Sequence, residues 1–199
     1  TLNRVVLDGI PLDAFASWPF TALFGWPAGF TIFVWLCMAA LGMSTAWLAN
    51  GWWKSPTAAV VAGAVAQTHP FLIRELSFGR PTQVFGAIFL PLALALTLKR
   101  LSSANRTTGV LAGVAWGAGA LSYWFYGAYF AIGLAALLAL SSNNIRTRIA
   151  VALESLAGLA LVTAWPLMAI LSATESIPGQ GLDLNSMVTH GDHELSLRQ

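Results

Sequence analysis

The chain has 199 residues, of which 10 are basic and 8 acidic, while 57% are hydrophobic. A soluble domain carries about a quarter charged residues, so a formal net charge of +2 and a mean hydropathy of +0.69 exclude an ordinary water-soluble composition and point to a bilayer. The basic residues are scattered rather than gathered in a stripe, which excludes a nucleic-acid footprint, and the single cysteine, Cys37, excludes an internal disulfide.

Residues 1–29 mix apolar residues with Asp8, Asp13, three prolines, Trp18 and Trp26, without a sustained period. Tryptophan favours the headgroup zone and proline breaks helices, so this segment is expected as an extracytoplasmic interfacial loop with short amphipathic turns. Phe30 to Ala49 follows as an uncharged run of 20 residues, which at about 1.5 Å per residue crosses a hydrocarbon core of roughly 30 Å. Trp52, Trp53 and Lys54 then form an interfacial anchor, and Ser55-Pro56 supplies a cap and a first-turn proline for the next helix.

The second and third spans are expected at 57–73 and 81–98, joined by a loop from Arg74 to Arg80. Gln67, Thr68 and His69 near the end of the second span need protein or a water-filled cavity to face, and Pro91 predicts a kink in the third. Residues 109–140 hold 32 positions without a charge, about 48 Å as one helix, too long for one crossing. Ser122, Tyr123, Trp124 and Tyr126 at the centre predict a broken hairpin of two short helices, 109–121 and 123–140. Gly109, Gly113 and Gly117 form a small-residue ridge suited to close helix contact in lipid. A last span at 149–171 carries Glu154 near its start, where the helix dipole favours an acid, and a polar extracytoplasmic segment occupies 172–199.

The fold class is therefore expected to be all-α, a polytopic transmembrane helix bundle of about six spans within residues 30–171. Sidedness supports that count, because Lys and Arg in short loops accumulate on the cytoplasmic side. With the N-terminus outside, the inside loops hold Lys54, Lys99, Arg100, Arg106, Arg146 and Arg148 against Glu154 alone, and seven of the eight acids fall outside. The expected location is the cytoplasmic (inner) membrane, and Thr1 and Gln199 are read as internal points of a longer polytopic protein.

Chemistry is expected on the outside face. Asp8 and Asp13 are carboxylates in a membrane-hugging loop, placed to act as general base on an acceptor hydroxyl or amide; a solvated loop acid is the plainer reading of each. Arg74 and Arg80 offer planar donor forks suited to phosphate oxygens. Glu75 can pair with either, and His69, Gly79 and Gln83 add polar reach and a tight turn at the same place. The alternative there is a local ion pair that caps two helices. Tyr123 and Trp124 can stack on a sugar or belong to an aromatic belt. His190, Asp192, His193 and Glu194 have metal-like spacing in a polar tail, a weak signal. No cofactor is specified, and a divalent metal is left open.

An outside acidic loop with Trp26-Pro27-Ala28-Gly29, a polar GRPTQ stretch leading to Leu90-Pro91-Leu92, and a Gly-rich helix breaking at Ser122-Tyr123-Trp124-Phe125-Tyr126-Gly127 together resemble the C-type glycosyltransferase superfamily. The resemblance implies a polytopic enzyme using a polyprenyl-phosphate sugar donor, of which this chain is an N-terminal transmembrane part. It implies a catalytic acid at Asp8 or Asp13 and a donor site lined by Arg74, Glu75, Arg80 and Gln83, with membrane lipid and lipid-linked sugar as partners. The paired adjacent acids of several such enzymes are absent. Two other readings stand beside it: a transporter or flippase component with Gln67, His69 and the broken hairpin along its path, and a non-catalytic assembly subunit held through the Gly109–Gly117 face.

Overall fold

Proline, glycine and polar caps cut the chain into nine helical segments among the described residues, which are 12–78 and 80–175 of the computed structural model. In chain order they are α1 (Leu12–Phe24), α2 (Ala28–Trp53), α3 (Pro56–Gln67), α4 (Pro70–Ser77), α5 (Pro81–Ala87), α6 (Phe89–Ser102), α7 (Arg106–Ser122), α8 (Trp124–Leu140) and α9 (Ile145–Glu175), with no strand among the described residues. Asp8, Gly79, His190, Asp192, His193 and Glu194 lie outside the described residues. The contacts that follow belong to a compact unit of residues 1–164; a second unit, 165–199, begins within the C-terminal part of α9.

Three helical stretches are long and apolar enough to cross a membrane: Ala28–Trp53, Thr82–Ser102 and Ile145–Ala164, with Phe125–Leu140 a shorter apolar helix. Their outward faces are greasy. Trp35 on α2, Ile132 on α8 and Leu161 on α9 are each about two-thirds or more exposed, a pattern that water penalises and hydrocarbon does not. The first 29 residues differ from the loop expected of them, because α1 runs through Pro19 as a helix of 13 residues. Proline removes one intrahelical bond there, but α1 packs closely on α2 at Gly29, where a β-carbon would overlap the backbone carbonyl of Phe20. Gly25, at φ 71°, makes the turn between the two helices with a backbone that other residues rarely adopt.

The expected second span also divides. Pro70 disfavours helical backbone at the residue before it, so His69 is extended (φ −61°, ψ 125°) and α3 ends at Gln67 with only 12 residues. Gln67 donates from Nε2 to the carbonyl of Met38 at 3.2 Å, and that contact needs Gly42, whose place no β-carbon can share with the Gln67 side chain. The Pro91 kink appears one turn earlier than the ring itself, because the carbonyl left without its amide donor is that of Ala87, where α5 ends. The break in the 109–140 run falls at Tyr123, which is extended between α7 and α8. Trp116 closes this hairpin by donating from Nε1 to the carbonyl of Gly127 at 2.9 Å.

The glycine ridge of α7 meets α9 of the same chain. A β-carbon on Gly113 would overlap the Ser155 carbonyl, and one on Gly117 would lie 2.9 Å from Val162 Cβ. The face assigned to an assembly partner in the subunit reading is thus occupied internally. Glu154 is also explained differently from its sequence reading, since α9 begins at Ile145 and the acid lies beyond its first turn. It forms a two-point ion pair with Arg100, Nε to Oε2 at 2.7 Å and a second guanidinium nitrogen to Oε1 at 2.9 Å.

Candidate functional site

The contacts segregate the polar residues to two ends of the helices. At one end, α2, α6 and α8 finish near Lys54, Lys99 and Ser141–Asn143, which line one cavity together. At the other end, α1, α4 and α5 converge through the segment Arg80–Gln83.

That second end is built by local chemistry. Ser77 donates to the Arg74 carbonyl at 2.7 Å, and the amide of Arg80 donates to the Glu75 carbonyl at 2.9 Å, so the chain turns back on α4 before Pro81 starts α5. The turn brings the Arg80 guanidinium to 3.6 Å from Glu75 Oε2. Glu75 was expected in a loop, but α4 includes it because Leu72, one turn earlier, docks among Phe33, Cys37 and Leu41 of α2. The Glu75 side chain is 6% exposed while that of Arg80 is 64% exposed, and Glu75 Oε2 accepts no hydrogen bond among the described residues. Arg74 is exposed and lies over the Phe78 ring at 5.3 Å, so Arg80 and not Arg74 faces the acid.

Two residues downstream, Thr82 donates to Asp13 Oδ2 at 3.0 Å and fixes one oxygen of a half-buried carboxylate. Gln83 is buried beside it with Oε1 unpaired, and its backbone carbonyl accepts from the Tyr126 hydroxyl at 2.9 Å. Four of the residues singled out from sequence, Asp13, Glu75, Arg80 and Gln83, are therefore brought together around the Arg80–Gln83 turn. Thr82 and Tyr126 were not singled out for these roles. Thr82 lies inside the GRPTQ stretch and was visible as a hydroxyl at a helix start, whereas the Tyr126–Gln83 bond, 43 positions apart, has no local signal.

Tyr126, whose hydroxyl reaches the Gln83 carbonyl, also walls an apolar cleft of about 460 Å³ with Leu72, Phe71 and His69, and none of the four residues of the turn lines it. His69 is exposed and its Nδ1 accepts the amide of Phe71 at 3.3 Å, which leaves Nε2 carrying the ring proton of the neutral form as a donor. Tyr123 belongs to the same aromatic group, 5.5 Å from Tyr126 and 5.2 Å from Phe125 between ring centroids. Trp124 opens α8, and its side chain is outside the described set. Among the described residues no three His, Cys, Asp or Glu side chains gather as a metal group.

Buried polar atoms are ordinarily paired. Here a carboxylate oxygen and an amide oxygen are left open near an exposed guanidinium and an oriented carboxylate, with Tyr126 between them and a cleft that suits a hydrocarbon chain. Such an arrangement can hold an anionic head group and take a proton from a hydroxyl next to it. No family model, no curated protein and no solved structure matches the chain.

Proposed function

We propose that the chain is the multi-pass part of a glycosyltransferase in the cytoplasmic membrane, which transfers a sugar from a polyprenyl-phosphate donor to an acceptor on the extracytoplasmic face. The observation that carries this reading is the Arg80–Gln83 turn, which gathers Asp13, Glu75, Arg80 and Gln83 and is joined through Tyr126 to an apolar cleft. A lipid-linked sugar phosphate has both chemistries in one molecule. Six crossings follow if α3 and α4 count as one broken span, α5 and α6 as another, and α2, α7, α8 and α9 as one each; the basic end then faces the cytoplasm by the positive-inside rule.

In this reading the prenyl chain lies in the cleft and Arg80, steadied by Glu75, receives the phosphate as it becomes the leaving group. His69 Nε2 is a second donor to the phosphate. Asp13, held by Thr82, takes the acceptor proton as the acceptor oxygen or nitrogen attacks the anomeric carbon. Asp8 is the other candidate base. Gln83, Tyr123 and Trp124 are assigned to the sugar, and Arg74 to the approach of the anion.

The test is sugar transfer by the full protein in native membranes with a polyprenyl-phosphate-linked sugar. Removing a general base lowers the rate by about 10²–10⁴-fold, so Asp13→Asn is expected to lose transfer by that factor with helical content unchanged. Transfer that survives in both Asp13→Asn and Arg80→Ala sinks the mechanism. One observation favours a second reading, lipid translocation: the cleft shares Thr45, Leu48 and Leu94 with a further apolar cavity along α2. Movement of the lipid-linked sugar across proteoliposomes without chemical change decides for it.

A further inference from the structure

The opposite end of the helices carries a second site. Where α2, α6 and α8 finish, a cavity of about 710 Å³ is walled by Asn50, Lys54, Lys99, Ser102, Ser141 and Asn143, with Trp47 and Trp52 at its apolar side. The basic residues here differ in how they are used. Arg100 is engaged at all three nitrogens, two of them by Glu154 and one by the Ser103 carbonyl at 2.9 Å. Arg148 donates to the carbonyls of Ser141 and Asn143 and so clamps the turn that forms one wall. Lys54 and Lys99 are exposed, and among the described residues neither has a carboxylate within salt-bridge reach.

Both ammonium groups are presented by fixed structure. Lys54 ends α2 in the left-handed region, φ 53° and ψ 33°, with its amide donating to the Asn50 carbonyl at 2.9 Å. Glycine takes that position without steric cost, so a lysine there is a side chain held in a backbone that does not favour it. Lys99 Nζ stands 5.9 Å over the Trp47 ring, a cation–π distance. Tryptophans at this level mark the headgroup zone. The cavity is continuous in its lining with a second one of about 300 Å³ that is almost wholly apolar: Trp52 and Leu137 belong to both, and Leu48 and Leu94 lead inward.

We propose that this end binds an anionic glycerophospholipid of the adjoining leaflet, its phosphate between Lys54 and Lys99 and one acyl chain in the apolar cavity beyond Trp52. Charge complementarity and the apolar continuation commit the occupant. A soluble anion has no use for the second cavity, and a zwitterionic lipid brings a cation of its own to the lysines. Its polar walls are separate from the Arg80–Gln83 turn, and only its apolar continuation shares Thr45, Leu48 and Leu94 with the cleft of the sugar-transfer reading.

The experiment is lipid binding by the full chain in a neutral detergent, read by native mass spectrometry with phosphatidylglycerol and phosphatidylcholine as probes. Phosphatidylglycerol is expected to bind at least tenfold more tightly. A lysine near a headgroup contributes about a fivefold change in affinity, so Lys54→Gln and Lys99→Gln each weaken phosphatidylglycerol by about that factor, and the double variant loses the preference. Arg146→Gln, an exposed basic residue at the same end that does not line the cavity, leaves it unchanged. A β-carbon at Gly51, which lines the cavity, meets only Leu98 Cδ1 at 3.8 Å. Gly51→Phe therefore keeps the helices and lowers binding of both lipids. Equal binding of the two lipids by the unaltered chain, a preference that survives the double lysine variant, an Arg146→Gln effect as large as Lys99→Gln, or displacement by inorganic phosphate as effective as by intact lipid each overturns the proposal.

Discussion

Two acid–base pairs, one at each end of the helices, are finished to different degrees. Arg100 and Glu154 meet in two short bonds with both side chains largely buried, and the third guanidinium nitrogen is used by Ser103. Arg80 and Glu75 meet at a single 3.6 Å contact, with the acid buried and the arginine mostly in the open. A closed pair contributes to a fixed helix arrangement, with each guanidinium nitrogen and both carboxylate oxygens already engaged. An open pair keeps a donor fork and a carboxylate oxygen available, at the cost of a buried polar atom without a partner. The difference separates a structural ion pair from a candidate site more sharply than residue type does, because both consist of one arginine and one glutamate.

The largest effect tests the closed pair. Arg100→Ala leaves Glu154 buried without its cation, and breaking a buried pair from one side destabilises by about 3–5 kcal/mol. Loss of the folded state on heating in detergent, at a markedly lower midpoint than the unaltered chain, is the expected result. Replacing both partners by apolar residues, Arg100→Met with Glu154→Leu, restores most of that stability if the pair is structural. A double variant as unstable as Arg100→Ala breaks the comparison, since the pair is then needed for something other than packing and mutual neutralisation.

A smaller effect concerns the helix contact next to that pair. Gly113→Ala puts a methyl group into the Ser155 carbonyl, and the facing Gly158 leaves no soft side chain to give way. Overpacking of this kind costs about 1–3 kcal/mol, read as a lower melting midpoint. Gly51→Ala, whose β-carbon meets only Leu98 Cδ1 at an ordinary van der Waals distance of 3.8 Å, is the control and is expected to melt with the unaltered chain.

Much of the helix pattern was legible because its causes are local. Pro70 ends α3, Pro91 breaks the helix one turn before itself, and Ser122–Tyr123 divides a run too long for a single crossing. What stayed hidden depends on neighbours far along the chain. α1 was not expected to be helical because Pro19 dominates a local reading, while the close contact of Gly29 with Phe20 is tertiary. The Arg100–Glu154 pair joins residues 54 positions apart, so the sequence showed an acid among cations without showing its partner. At the candidate site the residue types were legible and their states were not. Glu75 reads as a loop acid able to pair with Arg74 or Arg80, and only the docking of Leu72 on α2 buries it. Arg74 and Arg80 read alike until the turn gives the acid to Arg80 and leaves Arg74 on Phe78.

The smallest expected change in stability is the one that tests the open pair. Glu75→Gln removes a buried charge whose partner is mostly solvated, and an exposed partner contributes about 0–1 kcal/mol to such a contact, so the melting midpoint is expected to stay close to that of the unaltered chain. The amide keeps the shape of the side chain but no longer holds Arg80 by charge. In the sugar-transfer reading the arginine then loses its orientation toward the phosphate, and the expected result is a weaker apparent affinity for the lipid-linked donor with little loss of maximal rate. Stability that falls as far as it does in Arg100→Ala makes Glu75 a second closed pair, and the distinction between the two ends disappears. Unchanged stability with unchanged donor affinity leaves the pair open but idle, and moves the search for the phosphate site from Arg80 to His69 at the cleft.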